Sequence, residues 1–296
     1  MAALKLGLAL LTLAVSVSAV PLEPRQSISA LSTSQISTFK PFTHYASTAY
    51  CNPSTTLTWS CGSNCQANPT FKPVASGGDG NGTQFWYVGY DPTLKTVVVA
   101  HQGTDTSQIL ADLTDADIIR ETLDSTLFPG ISSSVTVHSG FANEQAKTAT
   151  LILSAVQTAL SNNGANTVTI VGHSLGAAIA LIDSVYLPLH LPGVTFQSVL
   201  YGLPRVGNQD FADYVDANLH ITHINNLKDP IPIVPGRFLG FHHPSGEVHI
   251  SENGAWEACP GQDNTSNLCI VGDVPNIFES TESDHDGPYD GLFMGC

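Results

Sequence analysis

The sequence predicts an α/β protein, a mostly parallel central sheet with helices on both faces. Short apolar, β-branched runs alternate with segments of helical periodicity through the middle of the chain. One junction between such a run and the helix after it is the pentapeptide Gly172-His173-Ser174-Leu175-Gly176. At 296 residues the chain is long enough to bury one large core.

The elements follow in order. Lys5, an apolar stretch over residues 6–15 and the small-residue site Val17-Ser18-Ala19 read as a secretory signal peptide covering residues 1–19. That stretch is too short to span a bilayer, and no later segment is apolar for long enough to do so. Residues 20–25 read as a short propeptide, and residues 26–296 as one domain. The Ser/Thr-rich start, residues 26–49, is expected to pack as a helix or lie extended. Residues 76–82 are a Gly-rich loop. Two strand patterns, 85–90 and 96–101, flank Asp91-Pro92-Thr93-Leu94-Lys95 and predict a hairpin. Residues 141–161 carry Ala149, Ile152, Leu153, Val156 and Leu160 on one helical face and end at Asn162-Asn163-Gly164, a C-cap. A strand over 167–171 and an Ala-rich helix over 175–182 enclose the pentapeptide. A strand (196–201), a helix (209–217), another strand (220–224) and a last one at 248–250 follow.

Composition narrows the function. Asp and Glu number 25 against 10 Lys and Arg, a net charge of −15, which argues against nucleic acid and anionic membranes as partners. Only 12% of residues are charged and 42% are hydrophobic, so the surface is rich in neutral polar groups, as in many secreted proteins. In an oxidising compartment the six cysteines should form disulfides. Sequence leaves the pairing open, but Cys61 and Cys65 can clip one turn and Cys259 and Cys269 can close a polar loop, which leaves Cys51 with Cys296. With no Cys-x-x-Cys pair, no metal site is expected. Asn81-Gly82-Thr83 and Asn264-Thr265-Ser266 are N-glycosylation sequons.

Strand, sharp turn and helix around Gly-x-Ser-x-Gly make the nucleophile elbow of an α/β-hydrolase, with Ser174 strained and its Oγ exposed at the carboxyl edge of the sheet. The glycines are needed because a Cβ there would meet the neighbouring strand or helix. A serine hydroxyl is a weak nucleophile. It needs a histidine base, and that base needs a carboxylate to set its tautomer. In this fold the chain order is Ser, then acid, then His. Asp229, after a strand and before Pro230-Ile231-Pro232, fits the acid, whereas Asp210, Asp213 and Asp216 read as a solvated helix face. His285, in a polar loop near the C-terminus, fits the base. His249 reads as sheet, His242 and His243 as pocket lining, His173 as structural, and His101 and His138 come too early in the chain. The oxyanion needs donors, expected from the Leu175 N–H and from Thr104, in the turn after residues 97–99.

These residues resemble the secreted class 3 lipases of filamentous fungi and their feruloyl-esterase relatives. The motifs are Gly103-Thr104, Val137-His138-Ser139-Gly140-Phe141, the pentapeptide, and Tyr201-Gly202-Leu203-Pro204-Arg205-Val206-Gly207-Asn208, over residues 42–296. The resemblance implies Ser174, Asp229 and His285 as triad, Thr104 and Leu175 as oxyanion hole, a long-range disulfide between the first and last cysteines, and no cofactor. Two positions depart from it. Gln102 stands where the family usually has Arg, and the lid stretch, residues 106–115, lacks the bulky Trp of typical lipases. Ile109, Leu110 and Leu113 would form the apolar face of a short lid that opens at an oil–water interface. The expected function is a secreted, monomeric serine esterase acting on acylglycerols. The alternatives are hydroxycinnamate (feruloyl) ester hydrolysis, a serine peptidase, and a non-catalytic binding protein on the same scaffold.

Overall fold

A computed structural model of the chain describes residues 27–114 and 118–296. The signal-peptide and propeptide readings lie outside the described residues, as does the last residue of the expected lid stretch, Asp115. The strands are β1 (Ser29–Ala30), β2 (Lys72–Gly77), β3 (Trp86–Asp91), β4 (Thr96–His101), β5 (Arg120–Thr122), β6 (Thr136–His138), β7 (Thr167–His173), β8 (Thr195–Tyr201), β9 (Ile221–Asn226), β10 (Glu247–Ile250) and β11 (Trp256–Cys259). The helices are α1 (Thr33–Ser37), α2 (Lys40–Thr48), α3 (Pro53–Leu57), α4 (Ser63–Ala67), α5 (Thr106–Thr114), α6 (Ser139–Asn163), α7 (Leu175–His190), α8 (Gln209–Asn218) and α9 (Ile270–Asp273).

Nine strands form one sheet in the order β1-β11-β10-β9-β8-β7-β4-β3-β2. The central pairs β4–β7, β7–β8, β8–β9 and β9–β10 are parallel. Antiparallel hairpins finish both flanks. The sequence reading found the parallel centre. It missed β2, which carries Pro73, and the short strands β1, β5, β6 and β11, each of two to four residues. β7 is buried along nearly its whole length, as a central parallel strand must be when both faces are covered.

Side chains alternate across the sheet and feed two cores. Val97, Val99, Val168 and Ile170 face the layer that contains α6 and α7. Val98, Ala100, Val171 and Tyr201 face α2, which presents Phe42, Tyr45 and Ala46. The Ser/Thr-rich start therefore packs as helix. Ser32 opens α1 with a capping box to Gln35. Helix α6 starts on His138, whose Nδ1 accepts the Phe141 N–H at 3.4 Å, and stops at Gly164, in the left-handed conformation (φ 60°). Three disulfides, Cys51–Cys296, Cys61–Cys65 and Cys259–Cys269, are present. The first joins residues 245 apart and so removes the most freedom from the unfolded chain.

Candidate active site

The turn from β7 into α7 holds Ser174 at φ 61°, ψ −130°, a region that residues with a Cβ rarely visit. The surroundings explain why it is held. A Cβ on Gly172 would lie 2.2 Å from the Gly176 carbonyl oxygen, and one on Gly176 would lie 2.3 Å from the His101 carbonyl oxygen. Strand, helix and the end of β4 thus meet at van der Waals contact only because both positions are glycine. Ser174, expected with its Oγ exposed, is instead fully buried, and among the described residues its Oγ has no hydrogen-bonding partner.

Asp229 and His285 lie in loops after β9 and near the C-terminus, yet His285 Nδ1 is 2.8 Å from Asp229 Oδ2 and both side chains are fully buried. The other carboxylate oxygen accepts the Ile231 N–H at 2.8 Å. That leaves His285 Nε2 buried and, among the described residues, unpartnered, like the serine hydroxyl. The two loops are laced together. Asn226 Nδ2 donates to the Asp284 carbonyl at 2.8 Å, and the Lys228 N–H donates to Asp284 Oδ2 at 3.1 Å. Gly202 makes the approach possible: it sits at φ 54°, and a Cβ there would be 2.7 Å from His285 Cε1.

His173 ties these parts together. Burial, then the neighbouring His285, holds its pKa well below the usual imidazole range, so the ring is neutral. Its Nε2 faces the His285 carbonyl at 2.8 Å, which can only accept, so Nε2 carries the proton and Nδ1 accepts. The donor is the Tyr50 hydroxyl at 2.6 Å, kept protonated by burial. The Tyr50 hydroxyl also packs against Gly103, where a Cβ would lie 2.2 Å from it. Hydrogen bonds thus join Tyr50, the elbow and the His285 loop, and the turn before Thr104 packs against Tyr50. The Tyr289 hydroxyl adds a second donor to the His285 carbonyl at 3.0 Å. Sequence reading did not pick out Tyr50; its only mark was standing next to Cys51, anchored to the last residue.

The turn carrying Thr104 leads directly into α5. Thr104 Oγ1 donates to Gln108 Oε1 at 3.3 Å, and Asp105 caps the helix by accepting the Ser107 N–H at 3.0 Å. Ile109 and Leu113 are buried in the core and Leu110 is packed against it. Gln102, in place of the expected Arg, accepts the Phe85 N–H at 2.8 Å while its own N–H donates to the Phe85 carbonyl at 2.8 Å. A polar cleft of about 870 Å³ opens beside this turn, lined by Asn81, Thr104, Asp105, Glu282 and Asp286 among others. Burial raises the pKa of Asp286. An apolar cleft of about 510 Å³ lies at the other end of α5, between Leu113, Ile233, Val234, Phe238 and Val274.

Arg205, from the Tyr201–Asn208 motif, acts as a buried clamp. Its Nε is 2.8 Å from Asp263 Oδ1, and its guanidinium also donates to the Ile233 and Pro235 carbonyls. It thereby fastens the loop after Asp229 to the loop closed by Cys259–Cys269. His243 was expected to line a pocket. It is instead fully packed, stacked on His223 with centroids 5.0 Å apart and with Nε2 2.7 Å from the Pro232 carbonyl. His249 is buried in β10 between the Leu227 and Leu268 carbonyls.

Residues 98–239 match the family model of class 3 lipases. A secreted mono- and diacylglycerol lipase of Malassezia globosa is 35% identical over 216 residues, 72% of this chain and 69% of its own. A second lipase of that description from the same organism is 30% identical over 294 residues, 93% and 89% of the two chains. Among solved structures, lipase II from Rhizopus niveus superposes with a TM-score of 0.76 at 26% identity, covering 90% of this chain and 99% of that one. Lip2 lipase from Yarrowia lipolytica shares the fold with a TM-score of 0.76 at 23% identity, covering 91% and 98%.

Proposed function

This chain belongs to the class 3 lipase family, and we propose that Ser174, His285 and Asp229 are its catalytic triad for the hydrolysis of acylglycerols. The protein is a carboxylic ester hydrolase and works outside the cell. The observation that carries the triad is the buried 2.8 Å pair of His285 Nδ1 and Asp229 Oδ2, which leaves Nε2 with no other partner among the described residues. With Asp229 accepting from Nδ1–H, Nε2 keeps its lone pair and serves as base.

Nε2 takes the Ser174 proton as Oγ attacks the ester carbonyl. The Leu175 and Thr104 N–H groups receive the oxyanion. The intermediate collapses as Nε2–H protonates the departing alcohol, leaving an acyl-serine. Water, deprotonated by the same nitrogen, then releases the carboxylic acid and restores the serine.

The two relatives are described as acting on mono- and diacylglycerols, and we carry that substrate class over. The polar cleft beside Thr104 suits an alcohol with free hydroxyls. We read α5 as a closed lid because Ser174 is buried while the Ile109 and Leu113 face is packed inward. The experiment is initial rate against tributyrin through its solubility limit, with ethyl ferulate in parallel. A jump in rate as droplets form is expected. Smooth saturation with strong ferulate turnover would replace this reading with that of a feruloyl esterase.

Asn81 and Asn264 are proposed glycosylation sites, with Asn81 the better occupied. Asn81 is exposed on a loop, whereas Asn264 Nδ2 donates to the Pro260 carbonyl at 2.9 Å. Peptide mapping of the secreted protein checks the order, and an occupied Asn264 beside a bare Asn81 would reverse it.

A further inference from the structure

A second buried histidine–carboxylate pair lies below the turn that carries Thr104, and the chemistry above does not use it. His101 Nε2 is 2.8 Å from Asp183 Oδ2, with the side chains 2% and 0% exposed. The other Asp183 oxygen accepts from Gln145 Nε2 at 2.8 Å. Three elements are thus pinned at one point: the last residue of β4, the middle of α7, and α6.

Each end of this bridge leads to one expected oxyanion donor. α7 begins at Leu175, so the Leu175 N–H moves with the same helix that carries Asp183, about 12 Å further along its axis. His101 stands three residues before Thr104 and pairs with Gly172 across the β4–β7 ladder. Its carbonyl abuts Gly176, where a Cβ would lie 2.3 Å away. The residues between are held from the other side, since Gln102 exchanges two hydrogen bonds with Phe85.

We propose that His101, Asp183 and Gln145 form a positioning strut that sets the separation of the Thr104 and Leu175 donors. The proposal rests on the reading of those two groups as the oxyanion hole. The physical argument is one of direction. An apolar pair of similar volume would fill the space without the cost of desolvating a carboxylate. It would not, however, specify a distance between β4 and α7 as two hydrogen bonds to one carboxylate do. Oxyanion donors act only when held at hydrogen-bonding distance from a position the substrate reaches transiently, so small displacements reduce rate and leave ground-state binding alone.

The test uses the full-length secreted protein carrying the paired substitution His101→Phe with Asp183→Leu, which removes both partners and refills the space. Turnover of soluble p-nitrophenyl butyrate is measured beside inhibition by an alkyl boronic acid, whose serine adduct is a tetrahedral anion. We expect an unchanged fold by circular dichroism, kcat lowered about tenfold, KM within about twofold, and boronate affinity lowered by the same factor as kcat. A folded variant with wild-type kcat and boronate affinity overturns the strut. If the pair does not fold, Asp183→Asn decides. Its Oδ1 can still accept from His101, but its amide nitrogen, a donor, then faces the Gln145 amide nitrogen in place of the second carboxylate oxygen. A parallel fall in kcat and boronate affinity supports the strut, and no fall overturns it. Ser174→Ala is run alongside: ester cleavage surviving in that variant would bring down the serine-esterase reading itself rather than the strut.

Discussion

Two histidine–aspartate pairs in this protein have the same 2.8 Å separation and the same burial, but their nitrogens are used in opposite ways. His285 meets Asp229 through Nδ1, and its Nε2 is left without a partner among the described residues. His101 meets Asp183 through Nε2 itself, and Gln145 takes the second carboxylate oxygen. A buried pair is therefore not a catalytic signature in its own right. On our reading, what separates the proposed base from the proposed strut is which ring nitrogen faces the carboxylate, and so whether Nε2 is left to act on the substrate side. The backbone decides this. His285 lies in a loop held by its own carbonyl, which accepts from His173 and Tyr289, and its buried ring sets Nδ1 on Asp229 with Nε2 away from it. His101 ends a central strand, and its side chain can only point into the helix layer.

The largest effect is expected where the comparison is most directly broken. Ser174→Ala should lower ester hydrolysis by at least about 10⁴-fold with the fold retained, because His285 Nε2 then has no hydroxyl to activate; initial rates on p-nitrophenyl butyrate read this, and residual activity within tenfold of wild type would place the nucleophile elsewhere. Next, Asp229→Asn should cost roughly 10³–10⁴-fold in kcat by favouring the wrong tautomer of His285, whereas Asp183→Asn should cost about tenfold. Equal losses in the two would erase the distinction between base and strut.

The smallest effect concerns buried ionisable groups that take no part in the proposed chemistry. Burial pushes His223 down to about 4 and His243, with His223 beside it, down to about 3. The unfolded chain binds protons at these sites below the usual imidazole value of about 6.5 and the folded protein does not, so they lower stability as pH falls from about 6.5 toward 3–4. Glu247 has the opposite sign. Burial raises its pKa to about 7, so the folded protein holds a proton that the unfolded chain has released, and this stabilisation is lost as pH rises through about 7. His243→Asn should therefore flatten the acid limb of a Tm–pH profile, and Glu247→Gln the limb between about pH 5 and 8, each by roughly 2–6 °C. Profiles parallel to wild type would show that neither group titrates between the two states.

Much of this molecule was legible in one dimension because its chemistry is written locally. A β-branched run, two glycines around a serine and an Ala-rich helix specify an elbow without reference to the rest of the chain, since each demand is met by neighbours within a few residues. The order of Ser174, Asp229 and His285 follows from the same fold logic, and proline and glycine mark the loops that carry the last two. What the tertiary structure alone decided were the pairings between distant residues. Tyr50 meets His173 across 123 positions and His101 meets Asp183 across 82. His101 comes too early in the chain to fit the order of a triad, and no sequence pattern ties it to Asp183. Whether Ile109 and Leu113 face inward, and whether His243 lines a cleft or stacks on His223, likewise depended on packing. The reason is physical: local propensity sets which backbone each segment adopts, but the partner of a buried polar group is chosen by whichever acceptor the packed layers bring within about 3 Å of it.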